Sequence, residues 1–240
     1  LYSITSITVL IGLLTLALVS VRFHKLTPWG GFTGFVVATL IYAASGLTGV
    51  LMLGAFFGLS VLASRYKRDV KFAGTPQDTT EARTSGQVLA NAGTAALMAL
   101  MSLIFPQHSF IYNLMLAGSL ASATADTLAS ELGAAYSKRF YHCLTFKKDT
   151  KGLDGVISTE GLLFGAAGAL IIALIATWPN PVTYTYYLLI ITIAGIIGNY
   201  ADSVLGATLE RKNLLSNNWV NFLSTLVAAA SAALMFLLHF

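Results

Sequence analysis

Long apolar runs separated by short polar clusters set the organisation of this chain. Runs close to the roughly 20 residues needed to cross a bilayer fall at about 2–20, 29–45, 47–64, 86–105, 109–135, 158–178, 183–206 and 217–239. They predict an all-α, polytopic membrane protein with about eight transmembrane helices. The runs are continuously apolar and do not alternate in strands of about ten residues, which excludes a membrane β-barrel. The break between the second and third runs rests on Ser45-Gly46 alone, with no charge nearby. Both runs are rich in glycine (Gly30, Gly31, Gly34; Gly49, Gly54, Gly58), and small residues let membrane helices approach closely. The first run lacks a basic n-region and an obvious cleavage site, so it reads as a span and not as a signal peptide. The chain opens at Leu1 and not at Met, so residues are expected to precede it.

Composition agrees. The 240 residues are 56% hydrophobic and 10% charged, with a mean hydropathy of +0.74; soluble domains are about 25% charged. Cys143 is the only cysteine, which rules out an intrachain disulfide and a cysteine-based metal site. The 14 Lys and Arg fall at Arg22 and Lys25, at Arg65 to Arg83, at Lys138 to Lys151, and at Arg211-Lys212. With eight helices, every one lies on the same side. The opposite connections, around Gly46, Pro106-Gln-His and Pro179-Asn-Pro181, carry none. The positive-inside rule makes the basic side cytoplasmic and both termini extracytoplasmic. Topology thus accounts for the net charge of +4 better than a nucleic-acid partner does.

Against this apolar frame, the polar positions stand out. The fifth run ends in Ala-Ser-Ala-Thr-Ala-Asp126-Thr-Leu-Ala-Ser-Glu131-Leu-Gly. A second copy, Tyr-Ala-Asp202-Ser-Val-Leu-Gly206-Ala-Thr-Leu-Glu210, follows 76 residues later at the end of the seventh. A charge within a membrane helix costs roughly 2.5–3.5 kcal/mol on insertion scales, so such residues are functional candidates by default. Both runs travel toward the basic side, so the repeat is parallel, and Asp126 lies roughly 14 Å from the inner end of its helix at 1.5 Å per residue. Other polar groups enter from the same side: Arg83, Gln87 and Asn91 on one helical face, Ser158 and Glu160, Asn199 one turn before Asp202, and Asn217 to Asn221. The outer halves are nearly plain apolar sequence. The pattern predicts a polar chamber open to the cytoplasm.

Carboxylates and phosphate oxygens together suit Mg²⁺, and flanking Lys and Arg suit phosphates. No His/Cys cluster supports zinc, no Ser-His-Asp set is present, and neither standard glycine-rich nucleotide motif occurs. The Gly152-Leu-Asp154-Gly155 turn is placed to offer backbone N–H groups to phosphate. This inventory points to Mg²⁺-assisted chemistry on phosphates where cytosol meets lipid. Structural roles stay open for each group. Asp126 and Asp202 could bond to neighbours such as Ser122 or Asn199. Glu131 and Glu210 could snorkel to water. Asn91 and Asn221 could bond across helices, and loop cations could serve topology or lipid headgroups alone.

Four segments, in order, carry a resemblance: Arg83-x-x-x-Gln-Val-Leu-Ala-Asn91, the Asp126–Glu131 segment, Gly152-x-Asp-Gly-x-Ile-Ser-x-Glu160-Gly, and Gly198-Asn-x-x-Asp202-Ser-x-x-Gly-Ala-x-x-Glu210. They resemble the membrane family that contains plant and cyanobacterial phytyl-phosphate kinase and animal transmembrane protein 19. The Asp-Ser…Gly segment is also similar to dolichol kinase and phosphatidate cytidylyltransferase, which use CTP. The resemblance covers about residues 80–225, leaving 1–64 as three glycine-rich packing helices within a single transmembrane domain, 1–240. It implies a CTP-dependent, Mg²⁺-dependent kinase that converts an isoprenoid monophosphate (phytyl, geranylgeranyl or farnesyl phosphate) to its diphosphate. The membrane would be an inner, plasma or thylakoid/chloroplast-type membrane.

Carried over by motif, Asp126, Glu131, Asp202 and Glu210 are the expected catalytic and metal-binding carboxylates. Asn91, Asn199 and Asn221 position phosphates, and Gly152, Asp154 and Gly155 cradle the nucleotide with Glu160 behind. Arg83, Gln87, Lys151, Ser158, Ser203, Arg211 and Lys212 complete the expected nucleotide- and phosphate-contacting set. Leu153 and Val156 stand where the family's turn carries Thr and a small residue. Two other classes use similar groups: a lipid cytidylyltransferase, and a proton- or cation-coupled transporter. Transporters usually place carboxylates at the midplane in inverted repeats, unlike the parallel repeat here.

Overall fold

The computed structural model describes residues 4–67, 82–178 and 185–238. It is helical almost throughout: α1 (Ile4–Arg22), α2 (Pro28–Arg65), α3 (Ser85–Ile104), α4 (Ser109–Tyr136), α5 (Thr159–Thr177), α6 (Thr185–Leu205) and α7 (Asn217–Leu237). A two-stranded antiparallel hairpin, β1 (Tyr141–His142) and β2 (Val156–Ile157), lies between α4 and α5. Among the described residues, six helices are long and apolar enough to cross a membrane: all but α4. Arg68 and Lys71, within the basic Arg65 to Arg83 stretch, and the Pro179–Pro181 connection lie outside the described residues.

The helix starts follow local chemistry. Thr27 caps α2, accepting from the Gly30 N–H at 3.0 Å, with Pro28 in the first turn. Thr84 and Gln87 form a reciprocal capping box on α3, and Ser158 caps α5 through the Gly161 N–H. Each satisfies backbone donors that a helix start leaves open.

Apolar periodicity runs through α2, but Gly46 breaks it with φ 61° and ψ −149°, a conformation that glycine adopts without a Cβ clash. The chain folds back there. In a straight helix residues 41 and 49 would stand about 12 Å apart, whereas a Cβ at Gly49 would meet Ile41 Cγ2 at 2.7 Å. The second and third apolar runs are therefore two arms of one helical hairpin, parting at the predicted Ser45-Gly46.

α4 is the axis of the bundle. Leu116 through Ala125 are buried without interruption, and α2, α3, α5, α6 and α7 all pack on it. Its Ala, Ser, Thr and Gly content makes it the least apolar of the long helices, yet small side chains are what allow five neighbours to close around it. α1 is peripheral, with Leu13 its only buried residue.

Contacts tie the basic connections together at one end. Arg83 N–H donates to the Lys25 carbonyl at 3.0 Å, the Lys67 ammonium lies 4.2 Å over the Tyr136 ring, and Arg211 pairs with Asp149 at 2.8 Å.

Candidate active site

The repeated motif builds the centre of the site. A Cβ on Gly118 would meet Ala194 Cβ at 3.5 Å, and one on Gly198 would collide with the Ser122 side chain. One turn further, the carboxyl groups of Asp126 and Asp202 meet within hydrogen-bonding reach. Each contact joins residues 76 positions apart, so α4 and α6 run parallel and in constant register, as the repeat predicted. Glycine at 195 and 198 is what lets the two backbones close. The Ser122 hydroxyl is buried without a hydrogen-bond partner, so it does not support Asp126. Asn199 lies buried beside Gly165.

Around the pair stands a shell of amides and hydroxyls from α7. The Asn221 amide, turned with its NH₂ toward the carboxylate, donates to Asp202 Oδ2 at 3.1 Å and to the Asn217 carbonyl at 3.3 Å. Ser224 also lies near Asp202, and Glu210 lies near the Asn217 side chain. Glu210 sits on a widened final turn, Gly206–Glu210, where α6 passes into π-helical bonding; such bulges are frequent at functional sites. Glu131 belongs to a separate subsite. Its carboxylate accepts from Ser64 Oγ at 2.9 Å, and its charge acts on Arg83. Arg83 is fixed by the α1–α2 connection: Thr27 N–H donates to its carbonyl at 3.0 Å, and Gly30 leaves room for that carbonyl.

The 137–158 segment covers the end of the site. Cys143 N–H donates to the Gly155 carbonyl at 3.0 Å, the buried Cys143 thiol donates to the Ser203 carbonyl at 3.3 Å, and Tyr200 OH donates to the Cys143 carbonyl at 2.9 Å. Gly152 and Gly155 have φ of 86° and 70°, which favours glycine. Gly155 lies flush against Ala207. Arg211 holds the turn through the Asp154 carbonyl and Asp149 Oδ2. The Arg211 hydrogen bond, with a backbone N–H from Thr150, holds the Asp149 carboxyl below its usual range. Burial pushes the Cys143 thiol up.

These elements enclose a cavity of about 650 Å³, within the range of small-molecule sites. Of the expected residues, the four carboxylates, Arg83, Gln87, Asn91, Lys151, Gly152, Asp154, Gly155, Ser158, Asn199, Ser203 and Asn221 all line it. Glu160, Arg211 and Lys212 do not. Glu160 and Lys212 are exposed, and Arg211 is occupied as the clamp on the hairpin. Some lining residues have a structural task as well. Gln87 accepts from the Thr84 N–H, Asn91 donates to the Gln87 carbonyl, and Ser158 accepts from Ser137 Oγ. Sequence reasoning passed over Ser64, Thr127 and Ser130, which also line the cavity. Ser64 sits beside Arg65 at the end of an apolar run, where it reads as a boundary.

Among the described residues, no three His, Cys, Asp or Glu stand close enough together to share one ion. The carboxylates therefore divide into the Asp126–Asp202 pair, Glu210 beside Asn217, and Glu131 with Arg83. A pair of carboxylates facing open volume fits Mg²⁺, which takes one or two carboxylates and fills its remaining positions with water and phosphate oxygens.

Fold and site together define a polytopic membrane protein with a carboxylate-centred polar chamber at its basic end. The chain belongs to the integral membrane protein DUF92 family, whose sequence profile matches residues 11–229; this is the family that the four motifs resemble. Relatives include the uncharacterized membrane protein sll0875 of Synechocystis sp., 32% identical over 93% of this chain and 88% of that one. The uncharacterized membrane protein MJ0933 of Methanocaldococcus jannaschii is 32% identical over 92% of this chain and 90% of its own length. Protein VTE6, chloroplastic, of Arabidopsis thaliana is 27% identical over 88% of this chain and 65% of its own length. No solved structure matches.

Proposed function

We propose that this protein is a Mg²⁺-dependent, CTP-using kinase that converts an isoprenoid monophosphate to its diphosphate at the cytoplasmic membrane face. The observation that carries the reading is the meeting of Asp126 and Asp202 inside a cavity also walled by the glycine turn. The resemblance of the four motifs, and the match to VTE6 over most of the chain, favour it. The two arms of α2 and the buried α4 count as three crossings beside the other five helices. That gives eight crossings, with the basic end cytoplasmic and both described ends extracytoplasmic.

Asp126 and Asp202 would hold Mg²⁺, which when bound neutralises charge on the nucleotide phosphates. The hairpin turn at Gly152–Gly155 would lie over those phosphates. Arg83 and Asn91 would orient the acceptor phosphate, and Asn221 would hold Asp202 in place. An acceptor phosphate oxygen forms a bond to the γ-phosphorus while the bond to the β,γ-bridging oxygen breaks, and CDP leaves with the electron pair. The acceptor is already ionised at neutral pH, so no general base is required. Catalysis is then positioning and charge neutralisation.

The test is a transfer assay on purified protein with Mg²⁺, γ-labelled CTP and phytyl, geranylgeranyl or farnesyl monophosphate, with ATP, GTP and UTP in parallel. Label in the lipid diphosphate is the expected result. Pyrophosphate release with a CMP-lipid would replace the kinase by a cytidylyltransferase. No nucleotide consumption would reject both and turn attention to transport.

A further inference from the structure

A second cavity, of about 150 Å³, lies between α1 and the two arms of α2. Its walls are apolar apart from Ser20 and the three residues it shares with the chamber: Arg83, Gln87 and Asn91. The two cavities thus adjoin at these three polar side chains. On α1 the walls run from Leu13 to Ser20, on the first arm of α2 from Gly31 to Ala38, and on the second from Val50 to Phe57. Each stretch is two helical turns, about 10 Å at 1.5 Å per residue. Arg83 stands where the two adjoin, with its guanidinium 6.0 Å from the centre of the Phe57 ring.

The glycines along this groove are of two kinds. A Cβ at Gly31 would strike Val21, so that glycine serves the α1–α2 contact. Gly54, also on the groove, has nothing within 4 Å of where its Cβ would be. Glycine inside a helix costs about 1 kcal/mol relative to alanine, and no packing contact at Gly54 accounts for it. What its missing side chain leaves is volume in the groove.

We propose that this groove seats the head-proximal part of a single hydrocarbon chain whose terminal phosphate lies in the chamber beside Arg83. The identity of that molecule as the phosphoryl acceptor rests on the function proposed above; the groove itself does not. The groove covers two helical turns and α1 is peripheral, so the rest of the chain runs out among the lipids. Recognition is therefore confined to the first isoprene units and tolerant of total length. The cavity volume of about 150 Å³ suits a single short chain segment, so one chain and not the two of a diacyl phosphate is expected there.

The test is photolabelling in phosphatidylcholine nanodiscs. The probe is a geranylgeranyl monophosphate carrying a diazirine in its head-proximal isoprene units. Label is expected on peptides containing Leu13, Ala17 or Leu53, removed by excess farnesyl monophosphate and not by dioleoyl phosphatidate. Gly54→Leu fills the groove and is expected to cut labelling at least tenfold. Gly58→Leu makes the same change one turn on, also with nothing within 4 Å but off the groove, and is expected to leave labelling unchanged. Label spread over lipid-facing residues without competition would overturn the proposal, as would equal labelling of Gly54→Leu and the parent protein. Displacement by phosphatidate would overturn the single-chain assignment. Labelling is read without turnover, so a labelled groove in a protein that transfers no phosphate would remove the kinase and leave the groove. Transfer with an unlabelled groove would do the reverse.

Discussion

The hairpin's hold on α6 can be measured through two glycines that differ in one respect. Gly152 and Gly155 both have left-handed φ, 86° and 70°, where an L-residue costs about 1–2 kcal/mol. A Cβ at Gly152 meets nothing within 4 Å, whereas at Gly155 it would lie 2.5 Å from Ala207 N and 2.6 Å from its Cα. Backbone atoms of a helix cannot swing aside, so relief requires lifting the turn, a further cost of about 1–3 kcal/mol. Alanine's smaller unfolded-state entropy returns about 0.4–1 kcal/mol to both variants, and the difference survives. Gly155→Ala should therefore open the hairpin about 5- to 150-fold more often than Gly152→Ala, at 1.4 kcal/mol per tenfold. The chain carries its own reporter: Cys143 is its only cysteine, 0% exposed beneath the hairpin. Its rate of maleimide labelling at neutral pH reads the open fraction. Equal rates in the two variants would refute the idea that Gly155 seats the turn on Ala207.

Hairpin closure should also depend on pH. Asp149 has a lowered pKa, so its contribution is full above the unfolded value near 3.9 and is lost as pH falls through the folded value. Cys143 has a raised pKa, so its contribution is full below about 8.5 and is lost as pH rises through the folded value. Protection of the Cys143 amide, corrected for intrinsic exchange, is expected to be flat from about pH 5 to 8 and to fall on both sides; a maximum outside that window counts against the pairings. Asp126→Asn and Asp202→Asn are each expected to lower kcat in the transfer assay by at least about 10²-fold with unchanged elution in detergent, and near-normal turnover in both would end the kinase assignment. Asn221→Leu removes the donor to Asp202, and a loss of about 10- to 100-fold in activity or Mg²⁺ dependence is expected. Gly198→Val must push Ser122 and Ala228 apart and is expected to lower the Tm clearly, whereas Gly54→Ala should leave it unchanged or raised.

The helices were legible because a bilayer writes length and hydropathy directly into sequence. The break at Gly46 was legible as a lone Ser-Gly, but the reversal it makes appears only when Gly49 is seen against Ile41. The Asp126–Asp202 meeting followed from the repeat, since equal spacing on two parallel helices brings equal positions together. What escaped depended on rotation about helix axes and on loop closure, neither of which leaves a period. Ser64 reaches Glu131 from 67 positions away. Arg211, with the charge expected of a phosphate ligand, turns to Asp149 and the Asp154 carbonyl instead. Glu160 lies within a matching motif, yet the first turn of α5 presents it outward, away from the cavity.

The constant offset between α4 and α6 has a geometric consequence. Two parallel helices whose seam positions face their own counterparts are arranged like a two-fold dimer folded into a single chain, the axis running between them. In such a pair an acid at one position is an acid opposite itself, so one Asp-bearing helix, used twice, is enough to make a facing pair of carboxylates. The correspondence stops just past the acids: Glu131 lies five residues beyond Asp126, whereas Glu210 lies eight beyond Asp202, on the π turn. The symmetric part supplies the shared centre, and the divergent ends give its two sides different neighbours, Arg83 and Ser64 on one and Asn217 on the other. On the proposed function, the two unlike substrates would then meet at a centre whose two halves are alike.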